Sequence, residues 1–203
     1  MELKDITYVV FDLETTGLSA EEGNEIIEIG AVKVKNGEVI DTFDELIKPT
    51  ILIPSNITDI TGITNEMVDG KRTEEEVIKS FLNWASDTIL VAHNANFDLS
   101  FIKMGMLKYN LGKLNYDVLD TLGISRFLTP YEKYHNLTCL MKRYDIKWDE
   151  DKHHRADYDS MGTSKVLYKM IDKLYEKNIK TLDDIKKIPK IVLNKKINDC
   201  EKQ

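Results

Sequence analysis

Cysteine, proline and long apolar runs are all scarce in this chain. Of its 203 residues two are cysteine, Cys139 and Cys200, and four are proline. Two cysteines are too few for a disulfide framework or a thiolate zinc site, and such a pair suits a reducing cytoplasm. No run approaches the ~20 apolar residues that span a bilayer, so no membrane partner is expected. The first residues, MELKDITYVVFDLE, lack a basic start, a long apolar core and a small-residue cleavage site, which predicts no secretory signal. Positive charge is not in excess either. The net charge of −7 argues against a broad basic face for long duplexes. What is present is the balance of a soluble globular domain, 42% hydrophobic and 31% charged residues, in a chain long enough for one ordinary core. The acidic balance leaves open an enzyme that gathers carboxylates around a metal.

The apolar pattern orders the chain. Tyr8 to Leu13 reads as a buried strand ending at Thr15-Thr16-Gly17. Glu25 to Val34 alternates as a second strand, and Asn36-Gly37 carries a hairpin signal into a third, Val39 to Ile47. Pro49 and Pro54 bracket a loop. Thr73 and Glu76 form a capping box that opens a helix through Val77, Ile78, Phe81 and Leu82. A fourth strand, 88–93, leads into a helix carrying Phe97, Phe101 and Met104. Tyr116 to Asp120 makes a fifth strand, and helices follow over about 121–128, 136–145 and 156–176. This order predicts an α/β fold with a mixed sheet of about five strands, one of them antiparallel, flanked by helices. The Lys-rich stretch 179–203 is expected to be either a docked helix or a mobile arm after a domain spanning 1–178.

Three separated segments supply acidic groups. Asp12 and Glu14 lie two apart on the first strand, so both point to one face and can converge on one ion. Embedded among Val10, Phe11 and Leu13, unpaired anions would be costly, which is itself an argument for a cation. A calcium loop fits only its first half, because the twelfth position is Gly23 and a strand precedes it. Asp98, where the fourth strand passes into a helix, could merely complement the helix dipole. If that strand neighbours the first, however, Asp98 reaches the same sheet edge as Asp12. His154 and Asp159 open the last long helix, with His153 and Asp157 as competitors that should face away. Hard oxygen donors without cysteine favour Mg²⁺ or Mn²⁺ over zinc, and two such ions can act as a pair. Such a pair can activate water against a phosphodiester. A histidine of ordinary pKa, ~6.5, can take the water's proton.

These segments, Phe11-Asp12-Leu13-Glu14-Thr15-Thr16-Gly17-Leu18, Ala92-His93-Asn94-Ala95-Asn96-Phe97-Asp98 and His154-Arg155-Ala156-Asp157-Tyr158-Asp159, resemble the three motifs of the DnaQ-like 3′–5′ exonucleases. The His-x-Ala-x-x-Asp form is that of the DEDDh subgroup. Thr61-Gly62-Ile63-Thr64, Leu119-Asp120-Thr121 and the doubled His153-His154 look like the exonuclease domain of PolC-type DNA polymerases. The resemblance runs from about Tyr8 to Met170, and the chain is far shorter than such a polymerase. It implies a ribonuclease H-like fold and two-metal hydrolysis from a 3′ end. Asp12, Glu14, Asp98 and Asp159 would be the metal ligands and His154 the base.

The same resemblance implies a pocket for the terminal nucleotide made by Thr15, Thr16, Gly17, Leu18, Ile63, His93, Asn94 and Phe97. Leu18 would wedge against the base, with Ile63 opposite and Phe97 as a wall. Arg126, Lys133, Lys142, Arg143, Lys147, Lys152 and Arg155 could track phosphates. The expected partners are single-stranded DNA or frayed 3′ ends, a nucleoside monophosphate product and a DNA polymerase, in the cytoplasm. The competing readings are an exoribonuclease or oligonucleotidase of the same superfamily, and an inactive module that docks a polymerase.

Overall fold

The computed structural model describes residues 1–147 and 155–194. Six strands form one sheet in the order β4-β3-β2-β1-β5-β6. They are β1 (Tyr8–Thr15), β2 (Ile26–Lys35), β3 (Glu38–Lys48), β4 (Arg72–Thr73), β5 (Ile89–Ala92) and β6 (Val118–Asp120). β2 runs antiparallel to β1 and β3, while the β1–β5, β5–β6 and β3–β4 pairs are parallel. The single antiparallel strand is the hairpin strand the sequence predicts. Its turn places Asn36 and Gly37 at φ of 53° and 82°, the left-handed pair such a two-residue turn requires. The sixth strand is the unexpected one: at two residues, β4 is too short to show any alternation.

Helices cover both faces. On one lie α3 (Glu74–Trp84) and α4 (Asn96–Lys108), on the other α5 (Thr121–Leu128), α6 (Leu137–Arg143) and α7 (Ala156–Glu176). Strict alternation along β1 divides its side chains between the two layers. Val9, Phe11 and Leu13 pack with Val77, Phe81, Leu99 and Phe101 of α3 and α4. Tyr8 and Val10 pack with Val166, Leu167, Met170 and Ile171 of α7. Both cores are continuous and fully buried, which is what an α/β sheet covered on two faces needs.

Past the loop that Pro49 and Pro54 bracket, the chain forms two short helices with no counterpart in the sequence pattern, α1 (Ser55–Thr61) and α2 (Asn65–Val68). They close a small cluster of Ile27, Ile53, Ile63 and Val68. At seven and four residues they are too short to carry a helical stripe.

After α7 the chain forms α8 (Leu182–Lys186). Leu182 N–H donates to the Met1 carbonyl, and Ile185, Ile191 and Val192 enter the α7-side core. Residues 191–194 then lie along the free edge of β6. The N–H groups of Asp120 and Leu193 donate to the Ile191 and Val118 carbonyls at 2.8 and 3.0 Å. Among the described residues, no helix is long and apolar enough to cross a membrane.

Candidate active site

Alternation along β1 puts Asp12 and Glu14 on the same face as Tyr8 and Val10, the face that α7 covers. Asp12 pairs across the ladder with Gly30, and Glu14 with Glu28. A Cβ on Gly30 would overlap the backbone of Ala156 and Asp157, so the missing side chain is what lets the first turn of α7 sit directly beside Asp12. One turn in, Asp159 is buried while Asp157 is exposed, as the helical period requires. Carboxylate oxygens of Asp12, Glu14 and Asp159 consequently lie within 4.8 Å of one another.

Asp98 arrives from the other layer. β5 lies beside β1, with Val91 opposite Val10. Two residues further along, Asp12 therefore stands level with the chain leaving β5 for α4. Asp98 sits in the first turn of α4, 1% exposed, and receives a hydrogen bond from the Leu13 backbone. Its Oδ1 is buried with no hydrogen-bond partner among the described residues.

The electrostatics are those of crowded anions. Burial, then the nearby Asp98, Glu14, Asp159 and Glu28, hold the Asp12 carboxyl well above the usual carboxylate range. Burial likewise pushes Glu14 up to about 8, helped by Glu28, Asp159 and Asp98 and opposed by Arg155. Asp98 is raised by burial, against the hydrogen bonds from its own backbone and that of Leu13. Such a group is satisfied either by protons or by a cation. Three carboxylates within reach of one ion, a fourth with an unpartnered oxygen, and only hard oxygen donors form a set that fits divalent cations.

Among the described residues a cation, Arg155, stands close by, but it is committed. Arg155 donates to Glu28 through Nη2 at 2.6 Å and Nε at 3.1 Å, and the Ala156 N–H donates to the same carboxylate at 2.9 Å. Glu28 is 0% exposed. This buried ion pair fastens the start of α7 to β2, and thereby sets the height of Asp159 over Asp12. Sequence reasoning passed Glu28 over as one polar position of an alternating strand. Its signal was present: Glu28, Gly30, Val32 and Val34 share one face, and a charge on a core-facing position needs a partner. It also reassigns Arg155 from the expected phosphate-tracking row. Arg143 leaves that row too, since it binds Thr129, the Tyr134 carbonyl and Glu132.

The expected nucleotide pocket is brought together only in part. Thr15 and Thr16 are buried, with the Thr15 hydroxyl on the Gly17 carbonyl and the Thr16 hydroxyl accepting from Glu25 N–H. Asn24 occupies the space where a Gly17 side chain would project. Leu18 stands 87% exposed beyond that turn. Phe97 is half-buried with its ring 5.1 Å from that of Phe101. Ile63 does not face Leu18 as a wall: it is 0% exposed, consumed by the small cluster under α1 and α2. Its role here is packing. His93 Nδ1 lies 2.9 Å from the Thr121 hydroxyl, and burial lowers its pKa to about 4. Asn94 is exposed, at a left-handed φ of 62°, and its N–H is held by Asp120 at 2.9 Å. His153, His154 and Lys152 lie outside the described residues.

Comparison with known proteins follows the same lines. The family profile described as RNase_T, Exonuclease, matches residues 9–167. The PolC-type DNA polymerase III of Halalkalibacterium halodurans is 45% identical over 177 residues, 87% of this chain and 12% of that protein. That of Bacillus subtilis is 44% identical over 184 residues, 90% of this chain and 13% of the polymerase. The chain thus spans about an eighth of the length of these relatives. Among solved structures, Exonuclease X in complex with 5′ overhanging duplex DNA aligns with a TM-score of 0.66 at 27% identity, covering 81% of this chain and 91% of that one. The nuclease domain of 3′hExo, a DEDDh family member bound to rAMP, aligns at 0.72 and 18% identity over 97% of this chain and all of that one. The motif order, the ribonuclease H-like fold, the acidic cluster and these relatives agree: this chain belongs to the RNase_T exonuclease family and is a nuclease hydrolase.

Proposed function

We propose that the chain removes nucleotides from the 3′ end of single-stranded or frayed DNA, releasing nucleoside monophosphates with the help of two divalent ions, Mg²⁺ or Mn²⁺. The observation that carries this reading is the convergence of Asp12, Glu14 and Asp159, with the partnerless oxygen of Asp98 arriving from the opposite layer. Those four side chains would hold the ions, which supply a Lewis-acidic centre for water and for the leaving oxygen. The chain's own residues do the rest. His154 takes the proton of the attacking water. The buried turn at Thr15, Thr16 and Gly17 presents backbone to the terminal nucleotide, while Leu18 offers exposed apolar surface to its base.

Similarity to PolC-type polymerases supports a proofreading task beside a polymerase, in the cytoplasm where replication occurs. The test is digestion of 5′-labelled single-stranded DNA and RNA with Mg²⁺, Mn²⁺ or EDTA, next to a closed circular single strand. Stepwise shortening of linear DNA that EDTA abolishes, with the circle intact, is expected. Cutting of the circle refutes the requirement for an end, and faster digestion of RNA moves the substrate to the exoribonuclease reading.

A further inference from the structure

Beside the acidic cluster, at the ends of β5 and β6, lies a cleft of about 560 Å³ that includes Asn94, Asn96, Arg126, Phe127 and Lys190 in its walls. We propose that this cleft seats the phosphate backbone of the strand 5′ to the bond being cut; the proposal rests on the exonuclease reading above.

The position of the cleft is set by the sheet. β1, β5 and β6 are consecutive parallel neighbours, about 4.8 Å apart, so the cleft lies about 10 Å from the carboxylates along the sheet edge. A polyanion led toward four carboxylates meets repulsion, and cations placed just outside the cluster offset it. The chain is acidic overall, with a net charge of −7, and several of its basic groups are spent on carboxylates. Arg155 goes to Glu28, Arg143 to Glu132, Lys186 to Asp117 and Lys108 to Glu25 and Glu74. Arg126 and Lys190 differ. Both are exposed in this cleft, and neither has an ion-pair partner among the described residues.

Lys190 is held there by design of the backbone. Its carbonyl abuts Gly123 so closely that a side chain on Gly123 would collide with it. The residues just after Lys190 hydrogen-bond along β6, and Lys190 itself takes a left-handed φ of 63°, a conformation non-glycine residues seldom adopt away from constrained sites. The acidic wall residue, Asp120, is turned inward: Oδ1 accepts from the N–H groups of Asn94, Ala95 and Leu122. Two free cations, the carboxamides of Asn94 and Asn96 and the exposed ring of Phe127 together make a surface that tracks phosphates and accepts a base without reading sequence.

The test uses the full chain and a 5′-fluorescein dT16, with binding followed by anisotropy in Ca²⁺ across a salt series. Hydrolysis of the p-nitrophenyl ester of thymidine 5′-monophosphate, which ends before the cleft, reports the chemistry separately. Replacing both cations (Arg126→Ala with Lys190→Ala) is expected to raise the Kd for dT16 about tenfold. It should also reduce the slope of log Kd against log salt by about 1.4, two single-strand phosphate contacts at 0.7 each. Lysine at position 126, in Arg126→Lys, should recover most of the binding, and thermal melts check folding. Unchanged Kd and slope in the double variant overturn the proposal and leave the cleft to a protein partner. Loss of ester hydrolysis in the wild-type chain, with dT16 binding intact and sensitive to the two cations, would instead sink the exonuclease reading alone.

Discussion

A carboxylate oxygen buried without a partner needs a reason, and Asp98 Oδ1 is such an atom. Repulsion and desolvation are present in the metal-free protein whether or not a cation later offsets them. Asp98→Asn keeps an acceptor for the Leu13 backbone while removing the charge. It should lower nuclease activity by at least about 10³-fold, a loss of about 4 kcal/mol of transition-state stabilisation. In EDTA the same variant should melt no lower than wild type, and up to about 4 °C higher if about 1 kcal/mol of repulsion is relieved. Activity within tenfold of wild type would remove Asp98 from the site. His154 is tested by the same logic. His154→Ala should reduce kcat by about 10²–10⁴ and flatten the acidic limb of the pH–rate profile, with metal affinity nearly unchanged, because a base is not a ligand. His153→Ala should do much less; the reverse ranking would assign the proton transfer to His153.

At the scale of elements, the site depends on how α7 meets the sheet. The helix is 21 residues long, and its apolar stripe would tolerate small slides along β1. Two features of β2 stop such slides: Glu28 grips Arg155 and the Ala156 N–H, and Gly30 leaves room for the backbone at Ala156 and Asp157. Gly30→Ala adds one methyl group where the opposing atoms are backbone and cannot swing aside. The first turn of α7 must lift, and Asp159 lifts with it. Overpacking of this kind costs about 1–3 kcal/mol, so the variant should fold with a lower melting temperature and lose at least about 10²-fold in kcat. A substitution to alanine at the open, solvent-facing Gly62, left-handed at φ 73°, should cost stability alone and serves as the comparison. Equal activity losses in the two variants would mean that the effect of Gly30 is general destabilisation and not displacement of Asp159.

Across the whole molecule, the raised carboxylates link stability to pH. In the unfolded chain Glu14 loses its proton near its ordinary pKa of 4.5, whereas in the folded protein it holds the proton up to about 8. Between those values the native state binds more protons than the unfolded state, so metal-free stability falls as pH rises. Asp12 and Asp98 shift in the same direction. In EDTA the melting temperature should therefore drop by about 5 °C or more between pH 5 and pH 8, and millimolar Mn²⁺ should abolish most of that drop by binding only the folded site. A flat metal-free profile over this range would show that the carboxylates are not crowded in solution.

Much of this architecture is local in origin and therefore readable from the chain. Alternation in Tyr8 to Thr15 determines that Asp12 and Glu14 share a face; Asn36-Gly37 determines the hairpin and hence the one antiparallel strand; Thr73 with Glu76 determines where α3 begins. The helices α5, α6 and α7 follow from apolar period and caps, within a residue or two of where they stand. The rest depends on partners distant in sequence. The two-residue β4 and the short α1 and α2 have too few residues to carry a period, and exist because β3 and Ile27 offer them a place to pack. Ile63 looks the same in sequence whether it faces a ligand or a core, and only packing decided for the core. Glu28 and Arg155 stand 127 residues apart, so their pairing is invisible until β2 and α7 meet. Sequence by itself determined which acidic residues the chain offers and on which strand face or helix turn each lies, because those are matters of period 2 and 3.6. Tertiary structure alone decided that three of them come within reach of one ion, that a fourth is left with an unpartnered oxygen, and that Arg126 and Lys190 share a cleft. Distances between separate elements are set by packing, and local pattern carries no record of them.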